Sequence, residues 1–335
     1  MPKTFSLRAE GGLVLTLMDR GATWLSCSVP MPDGARRSVV LGCPTPDDYA
    51  GQGAYLGATV GRYANRIAQA HIAHGGRDWA LTPNPGSRHQ LHGGPEGFHA
   101  RDWSAAQNGE REIAFSLASR DGDQGFPGTL RVTVIYRLAD PMTLEIETLG
   151  EVSAPSPVCI TNHAYFNLDG HLGDARQHRL RITAQRYLPV DDELIPEGPL
   201  APVQGTGFDF TRPKRVADDW LRDAQQRAGA GYDHAFLLDP DCSGMNRPAA
   251  ELASADGRLL MQLFTTLPAL QLYAGQHLAG IPSHDGTPYG PCPGLALEPQ
   301  FLPDSPNHPE WPQPSCWLLP GQRYRHFMRY RFVAS

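Results

Sequence analysis

The chain has 335 residues, with 29 Lys and Arg against 35 Asp and Glu and a formal net charge of −6. It contains no long like-charge block. That balance excludes a nucleic-acid surface, because a phosphate backbone wants a basic patch.

The length is ample for a large buried core. Residues 1–335 read as one domain, since all-β chains often run long and no repeat, linker or low-complexity segment interrupts this one. Residues 1–12 lack the apolar core of a secretory signal. No apolar run approaches the ~20 residues of a membrane span. The expectation is a cytoplasmic protein, monomer or homodimer, with no membrane partner. Six cysteines are scattered without a CxxC, and free thiols are expected.

In chain order, Pro32-Asp33-Gly34 predicts a turn, with Arg36-Arg37 in its exposed continuation. Residues 112–117 (EIAFSL), 130–138 (LRVTVIYRL) and 144–148 (LEIET) alternate apolar and polar, as half-buried strands do. Residues 216–228 place Val216, Trp220 and Ala224 four apart behind Pro213, which predicts one short helix. Residues 259–264 and 324–332 again read as strands. Between them, 283–294 form the clearest long loop, directly before Glu298, and are expected to shape the rim of a site. The sum is an antiparallel β protein, a sandwich or barrel.

Two segments carry chemistry. Thr161-Asn162-His163-Ala164-Tyr165-Phe166-Asn167-Leu168 puts a histidine, two asparagines and a tyrosine in one short stretch. Leu297-Glu298-Pro299-Gln300 supplies a glutamate far downstream. Together they point to a His/Glu acid–base pair assembled by the fold, imidazole being suited to proton transfer near pH 7. Locally, His163 reads equally well as a core histidine, and Glu298 reads better as a surface or ion-paired residue.

The ordered blocks narrow this choice. They are Gly61-Arg62-Tyr63-Ala64-Asn65-Arg66-Ile67, Leu91-His92-Gly93-Gly94, and Asp121-Gly122-Asp123-Gln124-Gly125-Phe126-Pro127-Gly128. After the His163 segment come Phe208-Asp209-Phe210, Tyr232-Asp233-His234, Gln271-Leu272-Tyr273, the Glu298 segment, and Pro303-Asp304-Ser305-Pro306-Asn307. In content and order the chain resembles the aldose 1-epimerase (galactose mutarotase) family over nearly its whole length.

The resemblance implies a large antiparallel β-sandwich of the galactose mutarotase type, with at most short helices. It implies His163 as the general acid on the ring oxygen of a pyranose and Glu298 as the base on the anomeric hydroxyl. The acid role wants an imidazolium and the base role an ionised carboxylate. Asn65, Arg66, His92, Tyr165, Asp233 and Gln271 are implied to hold the sugar, with no metal and no cofactor. Arg62 and Arg66, four apart, are expected to share a strand face, Arg62 as a structural pair-former. His71/His74 and His89/His92 are closely spaced but lack further partners of a known ligand pattern. The usual Thr-Thr-Glu-Pro-Gly is here Thr-Thr-Leu-Pro-Ala, residues 265–269. Phosphorylated-hexose epimerisation would want a cationic cluster beside these motifs, and none is present. A non-catalytic carbohydrate-binding protein would not need both His163 and Glu298.

Overall fold

The computed structural model describes residues 1–170 and 173–335. Three antiparallel sheets carry the architecture. The largest has nine strands, centred on the hairpin Leu130–Asp140 with Thr143–Val152 and on the C-terminal strand Tyr324–Ala334. Along Leu130–Asp140, alternate residues Leu130, Val132, Val134, Tyr136 and Leu138 are buried, as the period of two requires. The predicted strands at 112–117 and 259–264 lie in the same sheet, as Glu112–Ser119 and Leu259–Thr265.

The second sheet has six strands, in the order Tyr165–Phe166, Leu295–Gln300, Ala269–Tyr273, Asp233–Leu238, Ala184–Tyr187, Ala201–Pro202. The third joins Thr4–Arg8, Val14–Met18, Thr23–Pro30 and Arg36–Ser38, so Arg36-Arg37 form an edge strand where a turn was expected. Arg37 is paired with Asp256 at 2.7 Å.

One core cluster draws on all three sheets, among others through Leu15, Val29, Val134, Ile146, Leu270 and Leu297. Trp24, Phe166 and Tyr330, one from each sheet, meet with ring centroids 5.4–5.8 Å apart in edge-on and tilted geometry. The six cysteines are unpaired and buried.

Two expectations need correction. Residues 216–228 are not one helix: a 3-10 turn Val216–Asp219 and a short α-helix Ala224–Ala228 are separated by Leu221 at φ +57°. Tertiary contacts override the spacing. Trp220 turns out of the helical path, with Arg176 over its ring at 4.7 Å, and Asp219 is held by Lys214 and Arg222.

Nor do Arg62 and Arg66 share a strand face, because Asn65 between them adopts φ +68°. Arg62 is 2% exposed and donates to the carbonyl oxygens of Ser119, Pro127 and Gly128. The Asp121–Gly128 motif is thus a carbonyl cage around a buried guanidinium. Arg66 points elsewhere, into the site.

Candidate active site

The six-stranded sheet has two buried faces of opposite character. Leu270, Leu272, Leu295 and Leu297 alternate into the core. The register sets Gln271 opposite Glu298 and Ala235, Tyr273 opposite Asp233 and Ala296, and Tyr165 opposite Ala296. Directly opposed residues share a face, so Tyr165, Glu298, Gln271, Tyr273 and Asp233 all look the same way. The period of two therefore collects five polar side chains from four strands onto one surface.

His163 joins them from the segment before Tyr165. Its backbone N–H donates to Ala58 O at 2.8 Å and its carbonyl accepts from Gly57 N–H at 2.9 Å. Gly57 has φ +64°, and a Cβ there would lie 2.0 Å from Trp24 O, so only glycine permits this bond. Asn162 donates to Gly57 O at 2.7 Å and locks the same turn.

The result is a cavity of about 1040 Å³. His163, Glu298, Tyr165, His92, Asn65, Arg66 and Asp233 all line it. His163 Nε2 lies 3.5 Å from Glu298 Oε1, with side-chain exposures of 5% and 2%. The imidazoles of His92 and His163 are 5.1 Å apart, edge to face.

The Leu-His-Gly-Gly turn seats His92 at φ +53°. Gly93 approaches so closely that a Cβ would meet Gly61 O at 2.0 Å. His92 Nδ1 accepts the Asn65 N–H at 3.1 Å. The ring proton therefore sits on Nε2, which serves as a donor.

Arg66 Nη1 is 3.8 Å from Asp233 Oδ2. The Pro303–Asn307 motif fixes the Arg66 backbone: Asp304 N–H donates to Arg66 O at 2.8 Å, and Asp304 Oδ1 accepts from Ala68 N–H. Gln271 lies behind Asp233 and donates to its Oδ1 at 2.6 Å. It supports the carboxylate and is not among the residues bordering the cavity.

Burial dominates the electrostatics. It pushes the His163 imidazole down to about 4. It raises the Glu298 carboxyl well above the usual range, assisted by Asp233 and opposed by Arg66. The resting pair therefore favours neutral imidazole with carboxylic acid over the imidazolium and carboxylate expected from the resemblance. Both forms hold one proton, shared across 3.5 Å, so the pair titrates as a unit. Desolvation disfavours either charged form, and only a polar ligand would offset it.

Among the described residues, His92, His163 and Glu298 form a group whose potential ligand atoms lie within 4.8 Å of one another. The local pairs His71/His74 and His89/His92 form no such group. His71 faces Asp78, and His74 stacks on Trp317. A metal-bound imidazole normally donates its second N–H outward, whereas His92 Nδ1 accepts a hydrogen bond. The donor set thus fits a hydrogen-bonded ligand better than a cation.

Tyr55, Tyr273 and Leu194 border the cavity without having been singled out in the sequence. Tyr273 was findable, two residues from Gln271 on the same face. Tyr55, in the irregular segment 51–57, carries no periodic signal. Its ring packs edge-on against His92 and His99, both at 4.7 Å. The rim comes from residues 277–282 rather than 283–294. Within the predicted loop, Tyr289 braces Gly42 by two hydrogen bonds.

The family model for aldose 1-epimerase matches residues 3–331. An aldose 1-epimerase from Escherichia coli is 50% identical over 333 residues, covering 99% of this chain and 96% of that protein. A human galactose mutarotase is 35% identical, with 96% and 92% covered. The crystal structure of an aldose epimerase homologue from C. elegans superposes with a TM-score of 0.91 at 30% identity, covering 100% and 99% of the two chains. The chain belongs to the aldose 1-epimerase family, isomerases that interconvert the anomers of aldoses.

Proposed function

We propose that the protein interconverts the α and β anomers of free aldohexoses such as galactose and glucose, with His163 as acid and Glu298 as base. The observation that carries this reading is the approach of His163 Nε2 to Glu298 Oε1, 3.5 Å, inside a cavity that the Arg66–Asp233 pair also lines.

Asp233 and Arg66 grip sugar hydroxyls, Asp233 accepting and Arg66 donating. His92 donates from Nε2 close to the reacting oxygens, and Asn65 fixes its tautomer. Tyr165 packs against His163, ring centroids 5.0 Å apart, and anchors itself through its hydroxyl to Ala54 O.

Hydroxyls entering the cavity replace lost solvation and admit the charged form of the pair. Glu298 then takes the proton of the anomeric hydroxyl. The C1–O1 bond becomes a carbonyl, the C1–O5 bond breaks, and His163 protonates O5. Rotation about C1–C2 presents the other face of the aldehyde. Reversed proton transfers close the ring with inverted C1. Atoms and electrons balance without an external oxidant or reductant. Proton transfer of this kind contributes roughly 10²–10⁴-fold, so positioning of the sugar has to supply much of the remainder.

The relatives' names, aldose 1-epimerase and galactose mutarotase, support the substrate class. Six buried, unpaired thiols support a reducing compartment, hence the cytoplasm. A core cluster running from Leu7 to Phe332 supports one domain.

The test is polarimetry of freshly dissolved α-D-galactose and α-D-glucose. The expected result is relaxation to equilibrium that accelerates in proportion to added protein. Rates equal to buffer alone for both sugars would overturn the reading.

A further inference from the structure

Asp233 is supported from two sides. Gln271 holds its carboxylate. The second support is His234, the next residue, whose side chain points to the opposite face of the strand and is fully buried. It lies in an aromatic cluster built by the Phe208-Asp209-Phe210 motif. Phe208 stacks on Tyr187 at 4.1 Å, and His234 meets Phe208 and Tyr187 edge-on at 4.7 and 6.2 Å.

His234 Nδ1 accepts the backbone N–H of Asp233 at 3.1 Å. The neighbouring strand Ala184–Tyr187 lies opposite residues 236–238 only, and Leu188 N–H reaches Ala235 O. Asp233 therefore sits where the sheet ladder has ended on that side. The imidazole takes the place of a strand carbonyl.

The other ring nitrogen, Nε2, is buried without a partner. An unmade buried hydrogen bond costs stability, and an apolar ring would fill this cluster without that cost. Burial pushes the imidazole down to about 3, so it stays neutral and keeps Nδ1 free to accept.

We infer that His234 is a positioning residue: its Nδ1–Asp233 hydrogen bond sets the backbone from which the Asp233 carboxylate reaches the sugar. This rests on the assignment of Asp233 to sugar binding made above.

The test uses three variants, His234→Asn, His234→Gln and His234→Leu. Asparagine places an acceptor near the Nδ1 position, glutamine near Nε2, and leucine nowhere. His234→Leu and His234→Gln are expected to raise KM for galactose about fivefold, the worth of one net hydrogen bond. Their kcat should stay within about twofold. His234→Asn is expected to return KM to near wild type. If His234→Leu does not fold, the Asn and Gln variants carry the same contrast. Equal KM values in Asn and Gln, or a loss confined to kcat, would overturn the inference.

The Asp233 amide resonance, read by ¹H–¹⁵N NMR, gives a readout independent of turnover. It should stay near its wild-type position in the Asn variant and move in the Gln variant. Equal shifts in both overturn the positioning role even if the protein proves inactive on both sugars. Absence of wild-type mutarotation would instead overturn the proposed function.

Discussion

The nine-stranded and six-stranded sheets treat their polar residues in opposite ways. On the outer face of the larger sheet, charges stand directly across from each other in the ladder and pair. Arg137 meets Glu112 at 2.6 Å, Arg329 meets Glu145 at 2.7 Å and Arg181 meets Glu251 at 2.9 Å. On the polar face of the smaller sheet, Glu298 Oε2 and Gln271 Oε1 are buried without partners, as is Nδ1 of the adjoining His163. Buried polar groups are ordinarily satisfied. The first sheet pairs its polar residues across the ladder, whereas the second leaves bonding capacity at Glu298 and His163 in reserve beside the cavity.

The largest expected effect comes from the reserved groups. His163→Asn and Glu298→Gln should each lower kcat by roughly 10²–10⁴-fold, the usual contribution of a positioned proton-transfer group. Their melting temperatures should hold or rise, because each removes a buried group that must remain ionisable. Near-normal turnover in a folded variant of either would remove that residue from the mechanism.

The pH profile sharpens the same contrast. Catalysis needs one proton on the pair. Because burial lowers His163 from 6.5 to about 4, kcat/KM should hold as pH falls through 6.5 and decline only near 4, where a second proton binds and the base is lost. On the alkaline side the last proton leaves, and Glu298, raised well above 4.5, carries that limb upward. An acid limb centred at 6.5 in the enzyme-dependent rate would show that His163 titrates as an exposed imidazole.

Asp233→Asn should act through binding. Loss of a charged hydrogen bond to the sugar costs about 1.5–3 kcal/mol, which appears as a raised KM with kcat largely spared. Steady-state kinetics on galactose and glucose decide it. An unchanged KM for every active sugar would return Asp233 to a purely structural role.

The smallest effect belongs to the paired face. Glu145→Gln breaks its bridge to Arg329, which is 37% exposed, so its stability cost should fall within about 0–1 kcal/mol. Turnover should not change. Thermal melts that lost far more would mean the outer ladder is part of the core.

Much of this was legible in the sequence. The alternation at 130–138 and 324–332 gave strands that the structure extends to Leu130–Asp140 and Tyr324–Ala334. The motifs named the residues that converge on the cavity, because sugar chemistry draws on few side-chain types. What stayed hidden depends on distance. The broken helix at 216–228 follows in part from the contact of Arg176 with Trp220, which no local window contains. The divergence of Arg62 and Arg66 follows from one residue, Asn65, in the left-handed region. Gln271 was expected to hold the sugar; it donates to Asp233 and does not border the cavity. The preference of His163 and Glu298 for their uncharged forms follows from burial, which composition does not disclose.

The six buried thiols have a consequence of their own. Burial pushes Cys43 and Cys242 up to about 11, Cys159 to about 12, and Cys27 and Cys316 higher still. The thiolate is the reactive form, so in the native fold these sulfurs are closed to alkylating reagents both sterically and chemically. They stand at 27, 43, 159, 242, 292 and 316, spread through the chain. Each becomes a clock for the opening of its own neighbourhood. The order in which they are alkylated, read by peptide mass, would map which parts of the sandwich breathe first.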